Sequence, residues 1–193
     1  KGFVESISGP SKSMNFEQTL CFINCTFDEE VDLRAAVFHG VLTFQDCIFM
    51  KDVNLTESNF TQGVCLANST FEQFLGMQNC KTLVRFDASQ IKCYGGFSCQ
   101  GCVFYSDVIF NNASFEKTSE FSLCLFDQGL FLNYVTSTVI INLSNSDFRG
   151  RMELIRPKIN GLDLHRSYFV RKPILTEFPS TIQINFDETN GLN

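Results

Sequence analysis

The chain has 193 residues, of which 22 are Phe, nine Cys, four Pro and none Trp, and 44% are apolar. That length and apolar fraction can bury a sizeable core, which excludes a disordered or fibrous chain. The 15 Lys and Arg and 21 Asp and Glu are spread unevenly: residues 1–148 hold 8 basic and 16 acidic side chains, residues 149–173 hold 7 and 2, and residues 174–193 hold 0 and 3, a charge dipole along the sequence.

Residues 1–19 precede the first regular feature and are expected to cap one end of the fold. Large apolar residues then recur at Phe22, Phe27, Leu33, Phe38, Phe44, Phe49, Leu55, Phe60, Leu66, Phe71 and Met77, at intervals alternating five and six, so the period is 11 and its double is 22. Two positions ahead of this slot stand small or β-branched residues, among them Cys25, Val31, Ala36, Cys47, Val53, Ser58 and Val64. A small residue at i−2 and a bulky one at i is a local period of two, which belongs to extended chain. An 11-residue helical repeat is the competitor, but at about 100° per residue a five-residue step puts neighbouring Phe about 140° apart, on two separate stripes. Phe, Val, Thr, Asn, Ser and Cys are also mediocre helix formers.

Between Met77 and Phe110 the beat reads Thr82, Phe86, Ile91, Phe97 and Cys102, with Val84 two before Phe86, one interval two residues short and a later one two residues long. The Gly95-Gly96 segment and Phe104 to Asp107 are therefore expected to bulge or project, and Phe104 and Tyr105 are candidate contact residues. The beat returns at Phe110, Phe115, Phe121, Phe126 and Phe131, then at Leu143, Phe148, Leu154, Ile159, Leu164 and Phe169. This reading points sixteen Phe inward and leaves Phe3, Phe16, Phe74, Phe104, Phe178 and Phe186 off the beat. The cluster Arg149, Arg151, Arg156, Lys158, Arg166, Arg171 and Lys172 forms a basic end, where an anionic partner would dock, and Arg149 and Arg171 should stack on one face. Pro173 and Pro179 break the beat. Beyond them Thr181 to Phe186 alternates polar residues with Ile182, Ile184 and Phe186, so residues 170–193 read as a cap or as a strand for pairing with a second copy.

The units Val53-Asn54-Leu55, Ser58-Asn59-Phe60, Ser69-Thr70-Phe71, Ala113-Ser114-Phe115 and Ser146-Asp147-Phe148 resemble the pentapeptide-repeat family, whose loose motif is Ala-Asp/Asn-Leu-x-x. The resemblance spans roughly residues 20–169. It implies an all-β fold, a right-handed parallel quadrilateral β-helix, with i and i−2 side chains inward and four units per coil. Two slot pairs per coil give about seven coils, and the extra residue in every second unit should widen alternate corners. Some members of the family are acidic DNA mimics that bind and protect type II topoisomerases. The acidic residues 1–148 are compatible with that role and the basic C-terminal coils are not.

Cys80, Cys102 and Cys124 are 22 apart, as are Cys25 and Cys47, and all sit in the small inward position. Buried free thiols are the expectation, which points to a reducing, cytoplasmic compartment. A zinc site through Cys99-x-x-Cys102 with Cys93 and Cys80 lacks a second such pair or a nearby His. The sequons at Asn24, Asn54, Asn59, Asn68, Asn112 and Asn142 would suit a glycosylated ectodomain, but a repeat that sets Asn and Ser/Thr beside Phe generates them without that cause. No apolar run reaches the roughly 20 residues of a membrane helix, so no span is expected. The chain opens at Lys1 without an apolar signal core, as a processed chain or an excised piece of a larger protein would.

His39 and His165 fall near opposite ends and cannot share a site, and no phosphate-binding loop is present, so neither catalysis nor a cofactor is expected. The composite expectation is a rigid, non-catalytic scaffold for a protein partner, with no direct nucleic-acid binding. An accessory domain of a larger membrane protein is a further alternative.

Overall fold

A slot every five or six residues leaves most strands only two to four residues long, so no strand is stable until another lies against it. The computed structural model describes residues 14–191 and stacks them in this way. Most strands pair in parallel with the segment 22 residues on: Asn15 with Val37, Leu20 with Leu42, Thr26 with Ile48, and Val31 with Val53. Four faces result. Face 1 runs from Asn15–Phe16 to Tyr168–Phe169 and face 2 from Leu20–Ile23 to Ile174–Thr176, each with eight strands. Faces 3 and 4 open at Thr26–Phe27 and Val31–Asp32 and join into one sheet, because the long strand Thr136–Asn142 carries on around the corner between them.

Eight strands on face 1 mean eight coils, one more than the seven expected, named here by their face 1 slots Phe16, Phe38, Phe60, Thr82, Phe104, Phe126, Phe148 and Phe169. Phe16 is not off the beat. Its ring stacks on Phe38 with centroids 5.0 Å apart, so coil 1 begins inside the expected N-terminal cap, the rest of which (1–13) lies outside the described residues. No helix occurs among the described residues, and none is long and apolar enough to cross a membrane.

The sixth residue of every second unit makes the corner. Asn24, Ala35, Asp46, Glu57, Asn68, Asn79, Gln90, Gly101, Asn112, Leu123, Tyr134, Asn145 and Arg156 follow one another at 11-residue intervals, and all have φ between 50° and 74°. Asn tolerates this left-handed conformation better than other side chains, and five of these corners use it. The sequons at Asn24, Asn68 and Asn112 are therefore corner Asn followed by a small inward residue and an outward hydroxyl. The outward Asx side chain supports the same turn: Asn54, Asn142 and Asp163 accept the N–H of Thr56, Ser144 and His165 at 3.0–3.1 Å.

The interior consists of ladders. On face 1, Phe16, Phe38 and Phe60 stack at 4.9–5.0 Å and Phe104, Phe126, Phe148 and Phe169 at 4.7–5.3 Å, with interplanar angles of 13° or less. Phe104 is thus a core residue, fully buried and in phase, and the expected break in the beat is not there. Register stays at 22 throughout coils 4 and 5, with Thr82 paired to Phe104, Asp87 to Ile109, Cys93 to Phe115 and Ser98 to Glu120.

What changes in coil 4 is which column carries the bulk. The slots hold Thr82, Ala88, Cys93 and Cys99, while Phe86, Ile91 and Phe97 fill three of the i−2 positions, so total volume is kept with large and small exchanged. Val84 is correspondingly an exposed outward residue, and Phe131 faces outward between the buried Leu130 and Leu132. Gly95 and Gly96 do not project either. Gly95 passes so close to Gln73 that a Cβ would lie 2.3 Å from its carbonyl carbon, and Gly96 (φ 119°) makes room for the Phe74 ring lying over it. The real irregularity is one residue lost between Ser137/Ile140 and Ile159/Gly161, so the pairs that span it, from Ile141 with Leu162 to Glu153 with Ile174, stand 21 apart, and the spacing returns to 22 at Gly161 with Gln183.

The small i−2 residues ahead of the face 1 slot are hydrogen-bond donors as well as packing. Ser58 gives its hydroxyl to Leu33 O at 2.8 Å, and Cys80, Cys102 and Cys124 give their thiols to Leu55, Met77 and Cys99 O at 2.8–3.1 Å. Cys and Ser are interchangeable donors in this column. Burial pushes the Cys80, Cys93 and Cys99 thiols well up, so they stay protonated. Past Phe169 the coil continues through Ile174–Thr176, and Gln183–Asn185 pairs with Gly161–Asp163 as the last strand of face 4.

Candidate interaction surface

Inward side chains and ladder hydrogen bonds satisfy the fold, so only outward positions remain for function, on the faces and on the corner segments between them. Tyr105 and Phe104 part company here: Phe104 points in, while Tyr105, on the corner from face 1 to face 2, is 42% exposed with Lys81 Nζ 5.3 Å from its ring centroid. Around Tyr105 lie Leu83 directly below it, Val84 beside Leu83, and Val103 and Leu125 on the adjoining outward column of face 1. Leu123, on the corner leading into Leu125, is 57% exposed. These residues form a slanting apolar strip across coils 4 to 6. Sequence reasoning missed Val84 because the misread phase had turned it inward, and Leu83 and Leu123 because they join Tyr105 only when adjacent coils stack.

The basic cluster is not one patch. Arg156 stands on the corner between faces 2 and 3, and Arg166 on the opposite corner between faces 4 and 1. Four of its arginines are held by carboxylates. Arg149 binds Asp147 at 3.0 Å and lies 3.5 Å from Asp127, Arg151 pairs with the largely buried Glu153, Arg156 with Glu177, and Arg166 with Glu188 at 2.6 Å. The Arg166 guanidinium holds the Glu188 carboxyl below its usual range. Arg171 and Lys172 have no carboxylate partner among the described residues. The spacing of 21 sets them beside Gly150 and Arg151, so Arg149 stacks against Val170 and the expected Arg149–Arg171 stack does not form.

Cys99 and Cys102 both point into the interior, and no group of three His, Cys, Asp or Glu side chains among the described residues is arranged to hold a metal ion. His165 sits on face 4 with Nδ1 2.9 Å from Asp163, a second support for that corner.

A family model described as pentapeptide repeats (9 copies) matches residues 12–59 and, in an overlapping placement, 22–70. Its repeats coincide with coils 1 to 3 of the four-sided stack. Residues 12–70 carry pentapeptide repeats. No curated protein and no solved structure matches the chain. The four-sided coils continue well beyond the matched region: coils 4 to 8 depart from the motif through the volume exchange in coil 4 and the lost residue near Asn160, while parallel pairing persists to Gln183–Asn185.

Proposed function

We propose that this protein is a non-catalytic, rigid scaffold that binds a protein partner through its side walls. The supporting observation is the apolar strip of Leu83, Val84, Tyr105, Val103, Leu125 and Leu123, which no inward contact requires and which keeps its four exposed members at 41–57%. Aromatic and aliphatic side chains held on a stiff surface lose little entropy on association. The side walls have their backbone groups paired within the ladders, so a partner meets side chains and cannot add a strand there.

The test is deep substitution scanning of all outward positions, read out in the native host by a growth or localisation phenotype, with folded abundance measured in parallel. Sensitivity concentrated on coils 4 to 6 of face 1 at unchanged abundance supports the reading. Uniform tolerance of the strip with sensitivity elsewhere on the surface rejects it.

A further inference from the structure

Resting on the reading of that strip as a protein-binding surface, we propose that its partner is a second copy of this chain: face 1 is the interface of an antiparallel homodimer, built on a two-fold axis that lies across the rod between coils 5 and 6. Such an axis turns the second copy end for end and sets each column of outward residues against itself in reverse order. The central outward column of face 1 reads Asn59, Lys81, Val103, Leu125, Asp147, Tyr168 from coil 3 to coil 8. Reversed upon itself about its midpoint, it places Val103 on the partner's Leu125, Lys81 on the partner's Asp147, and Asn59 on the partner's Tyr168. Every pair occurs twice.

The flanking columns add further contacts, one of which sets Leu83 against the partner's Arg149, the guanidinium that binds Asp147 within its own chain. Leu123, the most exposed member of the strip, meets the partner's Gly101, a corner with no side chain to obstruct it. Tyr105 meets the partner's Asp127, and Glu57 the partner's Arg166.

The other three faces cannot associate in this manner. The outward column of face 2 carries Asp87 and Glu153, that of face 3 Lys92 and Lys158, and that of face 4 Asp32, Glu120 and Asp163. Reversal about the midpoint between coils 5 and 6 sets Asp87 against the partner's Glu153, and Lys92 against the partner's Lys158. Only face 1 has opposite signs equidistant from that midpoint, and its apolar strip crosses the same place.

Sedimentation equilibrium on the 193-residue chain from about 1 to 200 μM should show a mass rising from 21.9 kDa toward twice that value. Lys81→Glu and Asp147→Lys should each weaken dimerisation at least about tenfold, since each variant creates two like-charge contacts. The double variant restores both contacts with signs exchanged and should recover to within about threefold of the parent. Unchanged circular dichroism shows that the variants remain folded. A monomer across the whole range overturns the proposal, and so does a dimer that ignores the single reversals or that the double variant fails to rescue. A dimer lost only on removing residues 170–193 assigns association to the end of the rod and likewise overturns it.

Discussion

Thr82 stands where the face 1 ladder would otherwise run unbroken from Phe60 to Phe104. It is 1% exposed, and its Oγ1 has no hydrogen-bond partner. Thr82→Val exchanges the hydroxyl for a methyl of nearly the same shape. An unpartnered buried hydroxyl costs about 1–3 kcal/mol, and a buried methyl adds about 0.8 kcal/mol of transfer free energy. After allowance for imperfect fit, the expected gain is about 1–2 kcal/mol, a rise in melting temperature of roughly 2–8 °C for a domain of this size. Ser58→Ala is the matched control one coil below. Its hydroxyl donates to Leu33 O at 2.8 Å and accepts from the Ala36 N–H at 3.2 Å, so its removal should cost about 1 kcal/mol or more. Urea unfolding with equal m-values makes the two comparable. A loss of stability in Thr82→Val of the size seen in Ser58→Ala would refute the reasoning, because it would mean that the hydroxyl is bonded.

Other consequences of the ladders can be measured on the same footing. In coil 4, Phe86→Val should cost about 2–4 kcal/mol and Ala88→Phe about 1–3 kcal/mol, whereas the double variant, which returns the bulk to the slot, should recover most of the loss in urea unfolding. The raised thiols of Cys80, Cys93 and Cys99 stay protonated in the fold and ionise once unfolded, so the unfolded state sheds protons first as pH rises. Stability should be flat below the ordinary thiol range of about 8.5 and fall above it by up to about 4 kcal/mol per pH unit. Cys80→Ser with Cys99→Ser should flatten that slope while preserving the fold, and an unchanged slope would exclude these thiols as its cause. Tyr134 holds φ 59° at an exposed corner, so Tyr134→Asn should add about 0.5–1 kcal/mol by thermal melting. A thiol reagent added to native protein should label the exposed Cys21 first and reach Cys93, Cys99 and Cys102 only on unfolding, as mass spectrometry would show.

The period of 11, the inward i and i−2 positions and the four-sided stack were legible because Phe and Leu repeat in one phase over most of the chain. Coil 4 was misread because size had served as the marker of the slot, and Phe86 and Phe97 are large residues in the small residue's place. Pairing distances would have held the phase: from Phe60, steps of 22 land on Thr82 and then Phe104 whatever their size. Tyr105, expected on a projecting segment, is exposed on a regular corner instead, and its neighbours Leu83 and Leu123 were not singled out, since they stand beside it only once adjacent coils are laid together. The basic end looked unopposed in one dimension because the carboxylates that hold Arg156 and Arg166 come from Glu177 and Glu188, one full coil away.

The left-handed corner residues recur every 11 residues through Arg156, and then once after ten, at Arg166. Up to that point, duplicating or excising any 22 residues returns the chain to the same corner, so the gene can lengthen or shorten the rod in steps of about 4.8 Å without reinventing an end. The ten-residue interval closes that register. A duplication spanning it must carry the shortened coil along as a permanent scar, which leaves the first six coils as the part of the rod free to grow.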